Sequence, residues 1–162
     1  MEHYNLYTLK EYLDALSRRE PVPGGGSAAA LTAALGAALI SMVAQYSLGR
    51  KAGMSDEKPL KDTLKKSEHI RRRLLKLVDL DAEAYLRVVR ARKNKSSSAL
   101  KRAALKKARD VPLEVSRLCY TALLLTPLLV KKGNPYLISD IEVAVELLFA
   151  AYKSAMINVA IN

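Results

Sequence analysis

Leu9, Tyr12, Leu13 and Leu16 recur at three- and four-residue steps and predict a short amphipathic helix. Thr8 and Glu11 stand in capping-box register at its start, where each side chain can serve the other residue's backbone N–H. Pro21 and Pro23 close it. After Gly24-Gly25-Gly26, Ser27 is placed to cap a second helix that carries no charge from Ala28 to Leu48. Eight of the eighteen residues from Ala28 to Gln45 are alanine, and Thr32, Ser41 and Gln45 dilute the run further. That composition favours a central bundle helix, approached closely on several sides, over a membrane span. Leu31, Leu35 and Leu39 form its expected core ridge.

Pro59 suits the first turn of a third helix, whose stripe runs through Leu60, Leu64, Ser67, Ile70, Leu74, Leu77, Asp81, Tyr85 and Val88. A carboxylate in that register is costly unless Arg71 to Arg73 or a helix N-terminus neutralises it, which makes Asp81 a candidate functional group. Asn94 to Ser98 break the pattern. It resumes from Leu100 to Leu129, with Pro112 expected to kink or split the helix and Gly133 to stop it. Ser139-Asp140-Ile141-Glu142 reads as a second capping box, opening a last helix with Ala144, Leu148, Ala151 and Ala155 inward. Asp140 and Asn158 share an azimuth on that helix but lie about 27 Å apart along it, too far for one site unless subunits bring them together. No segment alternates strictly, and no Asn-Gly or Asp-Gly hairpin signal occurs. The expected fold is all-α, an antiparallel bundle of about five or six helices around the Ala/Leu-rich second one. It forms a single domain over residues 1–162.

Composition sharpens this picture. With 162 residues, 50% apolar and 27% charged, the chain has the size of one soluble domain. Nine aromatics and no Trp point to an Ala/Leu core. The lone Cys119 excludes an internal disulfide, and no CxxC or Cys/His cluster offers a structural zinc site. The first residues mix charges and lack an apolar signal core, so a cytoplasmic setting is expected. The net charge of +11 is concentrated in the middle, where residues 49–109 hold 20 Lys/Arg against 7 Asp/Glu. Such a field attracts polyanions without choosing among them.

Pro23-Gly24-Gly25-Gly26-Ser27 ahead of a helix offers bare N–H groups and a positive dipole end to an anion or a carbonyl oxygen. Glycines equally permit a tight turn. The run is neither a dinucleotide fingerprint nor a phosphate loop, because no strand precedes it and no Lys follows. His3 lies in an end segment and His69 beside its stripe, so proton transfer falls to carboxylates, with Asp79, Asp81 and Asp140 the best placed. An acid at Asp140 also suits a first helical turn for dipole reasons alone. Arg71 to Arg73, Lys101-Arg102 and Lys106-Lys107 form either a solvated face or a surface for nucleic acid, although no helix-turn-helix, RNP or zinc-finger signature accompanies them.

Six ordered motifs together resemble the cyclodeaminase/cyclohydrolase domain of the formiminotransferase-cyclodeaminase family. They are Pro21 to Ala30, Ser41-Met42-Val43, Val78 to Tyr85, Val111-Pro112-Leu113, Gly133-Asn134 with Ser139-Asp140, and Ile157 to Asn162. The resemblance implies an all-helical homodimer, without metal or redox cofactor and not bound to membrane, acting on one-carbon tetrahydrofolates. The reaction is hydrolysis of 5,10-methenyl- to 10-formyl-tetrahydrofolate or, alternatively, cyclisation of the 5-formimino compound with loss of ammonia. The match marks Asp140 and Asp81 as important, and their expected role is that of acid/base or cation-stabilising groups, with Gly24, Gly25, Gly26, Ser27 and Asn134 expected to bind substrate. Arg50 and Lys51 match the family's basic pair and, with the basic middle, suit a polyglutamate tail. The sequence departs from the family at Gly53, where an aromatic often stands, and at Asn162, where relatives continue. With no transferase segment in the chain, the hydrolytic reaction is favoured. A non-catalytic basic module that holds nucleic acid is the alternative of a different class.

Overall fold

The computed structural model describes residues 3–49, 57–93 and 97–161. They form six α-helices: α1 (Leu9–Ser17), α2 (Gly25–Ser47), α3 (Lys58–Lys93), α4 (Ser98–Leu123), α5 (Thr126–Lys132) and α6 (Ile138–Ile161). Among the described residues there is no strand. The Thr8/Glu11 capping box forms as expected, with Glu11 N–H on Thr8 Oγ1 and Thr8 N–H on the Glu11 carboxylate. Ser97 caps α4 by accepting from Leu100 N–H.

The long helices alternate in direction. Gly26 of α2 meets Asp81 of α3 and Ser41 hydrogen-bonds Ser67 at 2.8 Å, so these two run antiparallel. Arg73 of α3 pairs with Glu114 of α4 at 2.6 Å, while Asp81 and Tyr85 lie at the level of Ala108, so α4 runs antiparallel to α3. Gly25 faces Asn158 and Gly36 faces Leu148, so α6 returns alongside α2. The result is an up-down-up-down bundle in which α2 packs on α3 and α6, and α4 closes the ring between them. One end carries the triglycine turn and the C-termini of α3 and α6; the opposite end carries α5 and the start of α6.

The buried side of α2 differs from the expected leucine ridge. Ala30, Ala33, Ala37, Ile40, Val43 and Ala44 are fully buried, whereas Leu35 is 50% exposed and Leu31 and Leu39 are half-buried. Alanine lets α3 and α6 approach α2 closely, and the larger leucines are turned outward. Helix α6 comes close to α2 at Gly36, where an added Cβ would sit 2.7 Å from Leu148 Cγ and 3.1 Å from the Ala144 carbonyl. A Gly36→Val substitution is therefore expected to cost about 1–3 kcal/mol, read as a lower urea midpoint. An unchanged midpoint would show that this crossing can open freely.

Three boundaries also differ from expectation. Pro112 lies inside an uninterrupted α4 with its ring buried, and the break comes later, at Leu124 and Leu125. The missing proline N–H costs one ladder bond, which the packing of the surrounding buried turn offsets. α6 begins at Ile138, one residue ahead of the expected Ser139 cap, because a 3-10 turn at Pro135–Leu137 leads straight into it. The start of α2 is the third, and it belongs to the site.

Candidate functional site

Ser27 was expected to cap α2, but the helix starts at Gly25 with Gly24 as its cap. The reason is a side chain from another helix. Asp81 reaches from α3 to the first turn of α2 and accepts the Ser27 N–H, doing in space what a local cap would do in sequence. The glycines make room for it: a Cβ on Gly26 would collide with the Asp81 carboxylate. Of the two neutralising partners considered for Asp81, the helix N-terminus is the one present. Arg71 is bonded to Glu68 and Arg73 to Glu114.

Ser27 is itself fully buried, and its hydroxyl lies 2.9 Å from the Tyr12 hydroxyl. Tyr12, counted from sequence as an ordinary apolar position of α1, thus pins α1 to the turn that holds Asp81. Burial pushes the Tyr12 hydroxyl pKa up, and the nearby Asp81 adds to this. Asp81 is pushed up to about 6 by desolvation, opposed in part by the Ser27 N–H. A carboxyl near that value can both take and give a proton close to neutral pH.

Asp81 lines an open cleft of about 240 Å³ with Pro21, Val22 and Gly24 to Gly26 on one side and Tyr85, Ala108, Asn158 and Ile161 on the others. Tyr85 stands one turn beyond Asp81 on α3 and is half-exposed, so its ring can cover a flat ligand. Asn158 comes from the last turns of α6, where its side-chain amide donates to the Ser154 carbonyl. Pro112 removes the helical N–H that the carbonyl of cleft-lining Ala108 would otherwise receive. Tyr85 is readable from its spacing to Asp81. Asn158 falls within the Ile157 to Asn162 motif, whereas Ala108 carries no sequence signal beyond its place in a helical face.

Asp79 has structural work instead. Its carboxylate accepts from Asn5 N–H at 3.0 Å and lies 3.3 Å from the His3 ring, tying the first residues to α3. Asp140 and Asn134 lie at the opposite end of the bundle from the triglycine turn. Since Asn158 adjoins Gly25, Asp140 is about 27 Å away down α6. Asn134 accepts from Tyr136 N–H and donates its own N–H to Ser47 at the end of α2. Within one chain, then, Asp81, Gly24, Gly25, Gly26 and Ser27 converge, and Asp140 and Asn134 do not join them. Arg50, Lys51 and Gly53 lie outside the described residues. Cys119 is fully buried and its thiol is pushed up to about 12, an inert packing residue as expected. Among the described residues no cluster of His, Cys, Asp and Glu is arranged to hold a metal.

Residues 8–162 match the formiminotransferase-cyclodeaminase family. The chain is 41% identical to a methenyltetrahydrofolate cyclohydrolase from Methylorubrum extorquens, an alignment covering 96% of this chain and 78% of that protein. It is 34% identical to the formimidoyltransferase-cyclodeaminase of Mus musculus, again over 96% of this chain but only 30% of the relative. In three dimensions it is similar to a crystal structure of formiminotetrahydrofolate cyclodeaminase from Thermotoga maritima. That match has a TM-score of 0.91 and 32% identity, over 96% of this chain and 78% of the other.

Proposed function

Because the chain belongs to the formiminotransferase-cyclodeaminase family, we propose that it hydrolyses 5,10-methenyltetrahydrofolate to 10-formyltetrahydrofolate, with Asp81 as the acid/base group. A half-buried carboxyl with a pKa of about 6, held by a helix N-terminus at the wall of a cleft, carries this reading.

The methenyl bridge is a cationic amidine carbon. Ionised Asp81 stabilises that cation and takes a proton from an attacking water, and the new C–O bond gives a neutral tetrahedral adduct. The bond from this carbon to the ring nitrogen N5 then breaks. Asp81 returns its proton to N5, the adduct hydroxyl loses its proton to solvent, and the formyl group remains on N10. One water is consumed, one proton is released and no redox change occurs. The cleft of about 240 Å³ suits the fused ring system, with Tyr85 against its face.

The rest of the folate extends outward past the basic end of the bundle. Arg87, Arg90, Arg92 and Lys93 close α3 there and Lys101 and Arg102 open α4, a field suited to a polyglutamate tail. A homodimer has an apolar face available on α2 and α6. The lone buried thiol of Cys119 suits a reducing, cytoplasmic setting.

Higher identity to the cyclohydrolase than to the transferase-cyclodeaminases supports hydrolysis over deamination. The purified chain is expected to bleach the absorbance of methenyltetrahydrofolate above the uncatalysed rate and to release no ammonia from the 5-formimino compound. Ammonia release in the parallel assay would assign the cyclodeaminase reaction instead. No turnover of either would remove the enzymatic reading.

A further inference from the structure

The triglycine turn faces two side chains from two different helices. Gly25 and Gly26 are the first residues of α2, and successive helical residues point about 100° apart round the axis. Gly26 looks toward α3, where the Asp81 carboxylate fills the space a side chain would take. Gly25 looks toward α6, and an added Cβ there would lie 4.0 Å from Nδ2 of Asn158. Asp81 and Asn158 line the same cleft. Of the described residues that line it, only Asp81, Tyr85 and Asn158 carry polar side-chain atoms, and Tyr85 shares a helix with Asp81. Asn158 is therefore the polar side chain that a different helix brings to the carboxylate.

Nothing in α6 itself requires asparagine at this position. The side-chain amide donates to the Ser154 carbonyl at 2.9 Å. Ser154 lies four residues back, so within the helix that carbonyl already receives the Asn158 backbone N–H. Asparagine is a poorer helix former than leucine, and a side chain that bonds back to its own helix is neutral to unfavourable there. What the bond does is fix the amide. Turning it over would set oxygen against oxygen, so the nitrogen faces the helix backbone and the carbonyl oxygen takes the other branch. The cleft gains a neutral acceptor of set orientation beside its carboxylate.

Hydrolysis at a methenyl carbon needs a water that is aimed as well as a base that takes its proton. Water carries two O–H groups, and fixing both leaves its lone pairs a set direction. We propose that Asn158 orients the attacking water, an inference that rests on the folate hydrolysis reading. One O–H donates to Asp81 and the other to Asn158 Oδ1, and a lone pair faces the cationic carbon held over Gly25 and Gly26. Asp81 takes its proton as the C–O bond forms. The hydrogen held by Asn158 stays on the adduct hydroxyl and passes to solvent when the bond to N5 breaks, so atoms and charge balance as in the hydrolysis itself. Ring closure with loss of ammonia has no attacking water, so this acceptor serves the hydrolytic reaction.

Asn158→Leu removes the acceptor at nearly equal volume. Its kcat for methenyltetrahydrofolate is expected to fall about 10²-fold, the scale of a misplaced reactant, with KM within about twofold of wild type. Its urea midpoint is expected to equal or exceed that of wild type, because leucine is the better helix former. A residue that merely supports the fold would move the midpoint down instead. Asn158→Asp keeps an acceptor oxygen and is expected to retain several times the turnover of Asn158→Leu. A kcat of Asn158→Leu within about twofold of wild type, or equal losses in the two variants, would overturn the assignment. So would a raised KM with kcat retained, which is the mark of a contact to the bound ring system. Active wild type beside an unimpaired Asn158→Leu removes this inference alone, whereas wild type that hydrolyses no methenyltetrahydrofolate removes the folate hydrolysis reading and this inference with it.

Discussion

Replacing Asp81 with Asn is expected to lower kcat by about 10²–10⁴-fold, the usual worth of a positioned acid/base group, in the methenyltetrahydrofolate assay. Asn keeps the shape and can still accept the Ser27 N–H, so the loss isolates proton transfer and charge from packing. In the wild type, kcat/KM should fall as pH drops through about 6, where Asp81 becomes protonated in the free enzyme. Stability should move the opposite way. The folded state holds this proton more tightly than the unfolded chain, whose carboxyl stays near 3.8. The stabilisation is therefore complete below about pH 4 and lost as pH rises through about 6. Above that, the ionised carboxylate is a net cost of roughly 2 kcal/mol, reduced by its exposure to the cleft. Asp81→Asn should accordingly unfold at a higher urea concentration than wild type at pH 8 and at a similar one at pH 4. Glu68 and Glu114 are held low by Arg71 and Arg73, so their contribution to stability is present above their ordinary carboxylate range and lost on its acid side, and the wild-type-minus-variant difference is the quantity to read. A variant less stable than wild type at pH 8 would show that Asp81 is chiefly a structural cap.

The second large effect is expected at Gly26. Its missing side chain is the space that the Asp81 carboxylate occupies, so Gly26→Ala must displace Asp81 or shift the start of α2. Either outcome breaks the bond to the Ser27 N–H and misplaces the proposed acid/base group. The expected cost is about 1–3 kcal/mol in unfolding free energy, with a fall in kcat comparable to that of the Asp81 variant. Gly24→Ala is the matched stability control. An added Cβ there meets nothing within 4 Å and the backbone is extended, so the expected cost is only that of a poorer N-cap, no more than about 1 kcal/mol equivalent in the urea midpoint and less than that of Gly26→Ala. Equal stability and equal turnover of Gly26→Ala and Gly24→Ala would refute the packing account of the triglycine turn.

Local physics was legible in the sequence wherever an element's partner lay within a few residues. The Thr8/Glu11 box, the helical periods, the break before α4 and the stop at Gly133 all follow from spacing and side-chain type. Asp81 stood out because a carboxylate in an apolar stripe demands an explanation, and the demand itself is readable. What answers it is not. The N-cap of α2 was misread because its acceptor arrives from α3, more than fifty residues away in the chain. The leucine ridge was misread because period shows that a face exists, whereas the neighbours' closeness decides whether alanine or leucine fills it. The choice of an all-helical bundle, and of Asp81 and the triglycine turn as chemistry-bearing residues, came from the sequence alone. Tertiary structure decided that these residues share one cleft with Tyr12, Tyr85 and Asn158, and that Asp140 stands at the other end, because only the antiparallel course of α2, α3 and α6 sets which helix ends meet.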